Sequence, residues 1–122
     1  MSRFFNVRGF IDCDYGDLKA IRGIVESYEG RAAEFGLDGE VVHLYLSGWM
    51  YQVREINWIS HAFFGASMRA GGVNLLLDQL SCIARSSAEI EGVFFVDDDE
   101  GCESREWNIS DGCVEVIDRR PR

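Results

Sequence analysis

Along this chain the spacing of apolar residues switches between two periods, and each switch marks an element. Residues 4–12, FFNVRGFID, alternate, with Phe5, Val7 and Ile11 on one face of a strand. Asp12, Asp14 and Asp17 then supply carboxylates for a helix start, where orphan N–H groups and the positive dipole end meet them. Leu18, Ile21, Ile24, Val25 and Tyr28 recur at helical spacing and predict an amphipathic helix over 15–28, with Gly30, Gly36 and Gly39 in its exit. EVVHLYLSGWMYQ (40–52) alternates as a strand, VREI or its neighbours turn the chain, and NWISHAFFGASM (57–68) reads as a second strand. The short turn implies an antiparallel hairpin. Gly71 and Gly72 break the pattern, and Val73, Leu76, Leu77, Leu80, Ile83 and Ala84 form the buried stripe of a second helix over 73–87. GVFFVD (92–97) and REWNI (105–109) predict a further hairpin, and CVEVID (113–118) a last strand.

This order predicts one α+β domain spanning 1–122. The expected arrangement is ferredoxin-like (split βαβ): an antiparallel sheet with two helices on one face and an extra C-terminal hairpin strand. With a turn near Arg54, even residues of the central hairpin lie opposite even ones. Val42, Leu44 and Leu46 then join Trp58, Ala62, Phe64, Ala66 and Met68 beneath the helices. The other face collects His43, Tyr45, Trp49 and Tyr51 with Ile59, His61 and Phe63. Tyr and Trp suit interfaces because one end is apolar and the other tolerates water. That face is therefore expected to bury against another protein, a second copy of the chain, or the C-terminal strands folded over it.

Composition narrows the class. Of 122 residues, 47% are hydrophobic, as in a globular protein, and the formal net charge is −9. A surface so acidic repels phosphate backbones, which disfavours direct nucleic-acid binding, and its field favours a basic partner. No apolar run nears the roughly 20 residues of a membrane span, and MSRFFNVRGF carries no signal-peptide pattern, so a cytoplasmic protein with no membrane contact is expected. Cys13, Cys82, Cys102 and Cys113 form no C-x-x-C pair for zinc. Cys82 reads as a small core residue. A Cys102–Cys113 bridge across a hairpin is geometrically open, but a reducing cytoplasm argues against it.

The segment FFVDDDEGCESREW (94–107) concentrates negative charge. It is not a calcium loop of EF-hand type: counted from Asp97, the sixth residue is Cys102 where Gly is required and the twelfth is Asn108 where Glu is required. Asp97, Asp98, Asp99, Glu100, Glu103, Glu106, Asp111, Glu115 and Asp118 fall within 22 residues. They read either as a solvated turn or as a docking patch for lysines and arginines that acts through steering. His43 and His61 stand beside no nucleophile motif, and a metal pair would need a third ligand, so no cofactor or metal is expected.

Taken together, GWMYQVREINWISHAFFGASMR, the following helix, GVFFVDDDEG, the W-x-I segment and the final G-x-V-E-V strand resemble the small immunity proteins of bacterial polymorphic-toxin and contact-dependent growth inhibition systems. The resemblance covers roughly residues 4–118 and includes no catalytic signature. It implies a cytoplasmic, non-enzymatic protein that binds and neutralises one cognate toxin domain, many such toxins being nucleases with basic grooves. The residues expected to meet the toxin are Asp97, Asp98, Asp99, Glu100, Glu103, Tyr45, Trp49, Tyr51 and His61. A homodimeric small-ligand-binding or small enzyme domain, with His43, His61 and Tyr45 lining a pocket, is the alternative from a different class.

Overall fold

The computed structural model describes residues 3–119. Its elements are β1 (Phe5–Cys13), α1 (Asp17–Glu26), a 3₁₀ turn (Ala32–Phe35), α2 (Gly39–Leu46), β2 (Trp49–Tyr51), β3 (Ser60–Met68), α3 (Ala70–Ser86), β4 (Glu91–Asp98), β5 (Ser104–Ser110) and β6 (Cys113–Asp118). The fold is α+β. Six strands form one antiparallel sheet in the order β2-β3-β1-β4-β5-β6. No helix among the described residues is long and apolar enough to cross a membrane.

Period two places Phe5, Val7, Ile11 and Cys13 of β1 on the buried side, as the sequence pattern requires. Against that side α1 packs Leu18, Ile21 and Val25, and α3 packs Val73, Leu76, Leu80, Ile83 and Ala84. One register row carries the centre of this core across all six strands: Trp49, Phe64, Gly9, Phe94, Trp107 and Val116 lie abreast. The missing side chain at Gly9 lets the Trp49 ring reach past β1 to Phe94, with centroids 6.1 Å apart, while it meets Phe64 edge-on at 5.2 Å. At the far edge, β5 and β6 are joined by Asp111 and Gly112, both with positive φ (53° and 80°), the type I′ turn that matches strand twist.

Two expectations are corrected. Residues 40–52 do not form one strand: 39–46 are helical, and only Trp49–Tyr51 are extended. Val42 and Tyr45 are buried three residues apart on a helix, a spacing that the short run VVHLYL also offered to an alternating template. The β2–β3 connection is therefore not a tight turn but residues 52–59. Its register pairs Trp49 with Phe64, Met50 with Phe63 and Tyr51 with Ala62, odd with even. A slip of one residue sends every side chain of the strand to the other face. Trp49 and Tyr51 accordingly turn toward the helices, and Met50 takes the place expected of them. The second correction concerns Gly71 and Gly72, which lie within the first turn of α3 rather than ending the preceding segment. A Cβ on Gly72 would come within 2.4 Å of the Tyr45 ring, so the glycine makes room for α2.

Candidate functional site

No element among the described residues covers the sheet face opposite the helices. β5 and β6 extend the sheet sideways beyond β4 and do not fold over it, which removes one of the three expected occupants. Across this face runs a second register row: Met50, Phe63, Phe10, Val93, Asn108 and Glu115. Met50, Phe63 and Phe10 are exposed to 68%, 48% and 38%, so an apolar belt crosses the first strands in contact with water. Isolated exposed apolar side chains are ordinary, but side chains aligned across neighbouring strands form a patch.

Polar rows border the belt on both sides. On one side Asp12 lies between His61 and Glu91 in the register, and His61 Nδ1 is 2.7 Å from Asp12 Oδ1. On the other side, Arg8 pairs with Asp97 at 2.6 Å and lies over the Phe95 ring, 5.5 Å from its centroid. The Ser104 hydroxyl donates to Asp97 Oδ1 at 2.6 Å. That hydrogen bond, opposed by partial burial and assisted by Arg8, holds the Asp97 carboxyl below its ordinary value.

The nine residues expected to meet a toxin are dispersed. His61 and Asp97 lie on the open face, and Asp99 and Glu100 are exposed in the β4–β5 connection. Glu103 is half-buried between Arg3 and Arg105, at 3.7 and 3.6 Å. Trp49 is buried, its indole N–H donating to Gln79 Oε1 at 3.3 Å. Tyr51 stacks on Trp49, and burial pushes its phenol up to about 12, with Arg22 opposing and Glu26 adding to the shift. Tyr45 is buried beneath α3, where its hydroxyl accepts the Arg69 N–H at 3.0 Å.

Asp98 departs furthest from a solvated aspartate. Alternation along β4 turns it inward, opposite Phe5, and its side chain is shielded from solvent. Arg3 bonds it from the start of the chain, and the Cys102 N–H donates to its Oδ1 at 2.7 Å. Burial opposes the charge, but Arg3 and the backbone N–H groups of Glu103 and Cys102 outweigh it and hold the carboxyl below 3.8. A carboxylate depressed in the folded state stabilises that state above its unfolded pKa, and this contribution is lost as the pH falls through the folded value. Asp98→Asn is therefore expected to melt below the parent at pH 7, with the gap closing as both are acidified below 3.8. Parallel melting curves at every pH in a calorimetric series would contradict this role.

The acidic end is thus a partly neutralised structure rather than one open patch, since Arg3, Arg8, Arg105 and Arg119 each pair with a carboxylate there. These arginines come from residue 3 ahead of β1, from β1, from β5 itself and from residue 119 after β6. The chemistry of the remaining candidates is quiet. Burial, aided by Asp17, Asp14 and Asp12, pushes the Cys13 thiol up to about 11, away from thiolate character. Cys13, Cys82, Cys102 and Cys113 are all free thiols. No group of three His, Cys, Asp or Glu among the described residues is placed to hold a metal ion.

His43, His61 and Tyr45 are not brought to one pocket. His43 bonds Glu29 at 2.8 Å and lines a hollow of about 670 Å³ beside β2, Tyr45 lines another of about 840 Å³ beside the start of α3, and His61 lines neither. Sequence reasoning missed the two most exposed large apolar side chains among the described residues. Val53 and Trp58 of the β2–β3 connection are exposed to 92% and 86%, with Ile56 and Ile59 beside them at 64% and 57%. The signal lay in VREINWI itself, where apolar residues interrupt a polar turn. Comparison of the chain with protein-family models, with curated proteins and with solved structures finds no match. The likeness to immunity proteins therefore rests on the sequence pattern alone.

Proposed function

We propose that this chain is a non-enzymatic, cytoplasmic binding protein that neutralises a cognate toxin domain with a basic surface, docking it on the uncovered face of the sheet. The observation that carries this reading is the belt formed by Met50, Phe63 and Phe10, aligned across three strands and left open by every described element. A net charge of −9 supplies the field that would steer a basic partner toward it. The strand order β2-β3-β1-β4, with α1 between β1 and β2 and α3 between β3 and β4, supports the finer reading of the fold as split βαβ extended by β5 and β6. The toxin chemistry that suits such a surface is that of a nuclease, whose groove must attract phosphate.

The test is affinity for the domain encoded immediately upstream of this chain. Phe10→Ser with Phe63→Ser removes two half-exposed aromatics at a stability cost of about 1 kcal/mol or less. One aromatic anchor contributes about 2 kcal/mol or more, and neighbouring anchors do not add in full, so the double variant is expected to bind at least ~30-fold more weakly. Unchanged affinity in titration calorimetry would place the interface elsewhere.

A further inference from the structure

We infer that the anchor of the binding surface is the β2–β3 connection together with the acidic hollow beside it, and that it takes a partner segment bearing a lysine or arginine flanked by apolar side chains. This deepens the protein-binding reading above and rests on it. Four large apolar side chains project from residues 53–59, yet the backbone that carries them is fixed. The Tyr15 hydroxyl donates to the Val53 carbonyl at 3.2 Å. Gln52 is held at both ends of its amide: Nε2 donates to the Arg54 carbonyl at 2.7 Å, and Oε1 accepts the His61 N–H at 3.1 Å. Asn57 adopts φ 59°, a left-handed conformation that asparagine tolerates better than most residues, directly before Trp58. A braced loop presents its anchors with little ordering entropy left to lose on binding.

The charge beside the loop is unbalanced. Ile59 forms one wall of a hollow of about 130 Å³ whose other walls include Asp12, Asp14, Glu89 and Glu91. Asp12 and Glu91 are register partners on neighbouring strands, and like charges so placed repel. The hydrogen bond from His61 reaches Asp12, while Asp14, Glu89 and Glu91 make no ion pair among the described residues. A cationic head entering from the partner relieves that repulsion, and its aliphatic stem lies along Ile59 and Trp58. An arginine gains further from the Trp58 face. This end of β1 is roughly 26 Å from the acidic β4–β5 connection, at about 3.3 Å per strand residue. The two acidic regions are therefore separable by mutation.

A random peptide library displayed against the immobilised full-length chain tests the inference without a toxin. The expected selection is of peptides that pair Lys or Arg with aromatic or aliphatic neighbours. Their affinity should fall about tenfold or more with Trp58→Ser/Ile59→Ser. It should also fall, with a weaker salt dependence, with Glu89→Gln/Glu91→Gln, while Asp99→Asn/Glu100→Asn at the far end leaves it unchanged. Circular dichroism checks that each variant is folded. No enrichment over bare matrix, enrichment of acidic or uncharged peptides, or equal binding to the loop and hollow variants would overturn the inference. A chain that selects such peptides but leaves the upstream toxin active keeps this surface and overturns the toxin-neutralising reading. A chain that silences that toxin equally well with both sets of substitutions in place does the reverse.

Discussion

Gly9→Val abolishes the folded state, and Gly9→Ala already costs about 3 kcal/mol, the top of the usual overpacking range. Gly9 sits at the centre of the sheet between Phe64 and Phe94 in the register row that holds the core together. A Cβ there would stand 2.4 Å from the Val93 carbonyl oxygen and 2.5 and 2.6 Å from two atoms of the Phe94 ring. The oxygen belongs to the β1–β4 ladder and cannot swing aside like the tip of a flexible side chain. The Phe94 ring is also in edge contact with Trp49, which limits how far it can turn. Relief would require β4 to move away from β1, which would break the pairing on which the middle of the sheet depends. For a domain with ~5–15 kcal/mol of total stability, adding the two further methyl groups of valine to that site removes most or all of the margin. Urea unfolding of Gly9→Ala checks the smaller effect; a midpoint equal to the parent's would contradict the close approach.

Trp49→Ala is expected to lose about 4 kcal/mol or more of stability. Removing a buried tryptophan costs about 3–5 kcal/mol in transfer and cavity terms. Here it also strips Gln79 of the donor to its Oε1, and Gln79 is itself buried, with its Nε2 directed to the Val25 carbonyl at 3.5 Å. An unsatisfied buried acceptor adds about 1–3 kcal/mol. Trp58→Ala, nine residues on in the exposed connection, is expected to change stability by about 0.5 kcal/mol or less. The pair separates the two tryptophans by role: a core residue whose loss unfolds the chain, and a surface residue whose loss is felt in binding. Equal, small effects in thermal melts would return Trp49 to the surface, where the alternation of 40–52 had placed it.

That misplacement shows how far the sequence could be read. Wherever one period dominated, the elements are where the pattern puts them: Phe5, Val7 and Ile11 in β1, the stripes Leu18/Ile21/Val25 and Val73/Leu76/Leu80/Ile83 in α1 and α3, and the last strand at 113–118. The α+β class and the antiparallel sheet follow from those alone. The run Val41–Leu46 is apolar enough to satisfy both periods, and nothing local decides between them. Its helical outcome is settled by Tyr45 packing under Gly72, a contact 27 residues away in sequence. Once that segment is misread, the hairpin connection becomes too short, the register slips by one, and Trp49 and Tyr51 change faces. His61 and Phe63 kept their predicted face because β3 is long and unambiguous.

The inward, paired state of Asp98 was hidden for a different reason. Alternation along 97–99 was visible, but the inward aspartate needs a partner, and Arg3 lies 95 residues away. Pairings of that range leave no local trace, so one sequence could not show that much of the apparent acidic patch is neutralised at home. Conversely, the carboxylates that matter to the proposal, Asp12 beside His61 and Asp14, Glu89 and Glu91 without ion pairs among the described residues, come from two segments far apart in sequence and meet only because β1 pairs with β4.

The most direct measurement is rescue of growth. The domain encoded immediately upstream is expressed alone and together with this chain, and survival and co-purification are recorded. The proposed function predicts that the domain arrests growth when alone and that co-expression restores growth through a complex that survives purification. Arrest that continues in the presence of the folded chain, with no complex recovered, would contradict it.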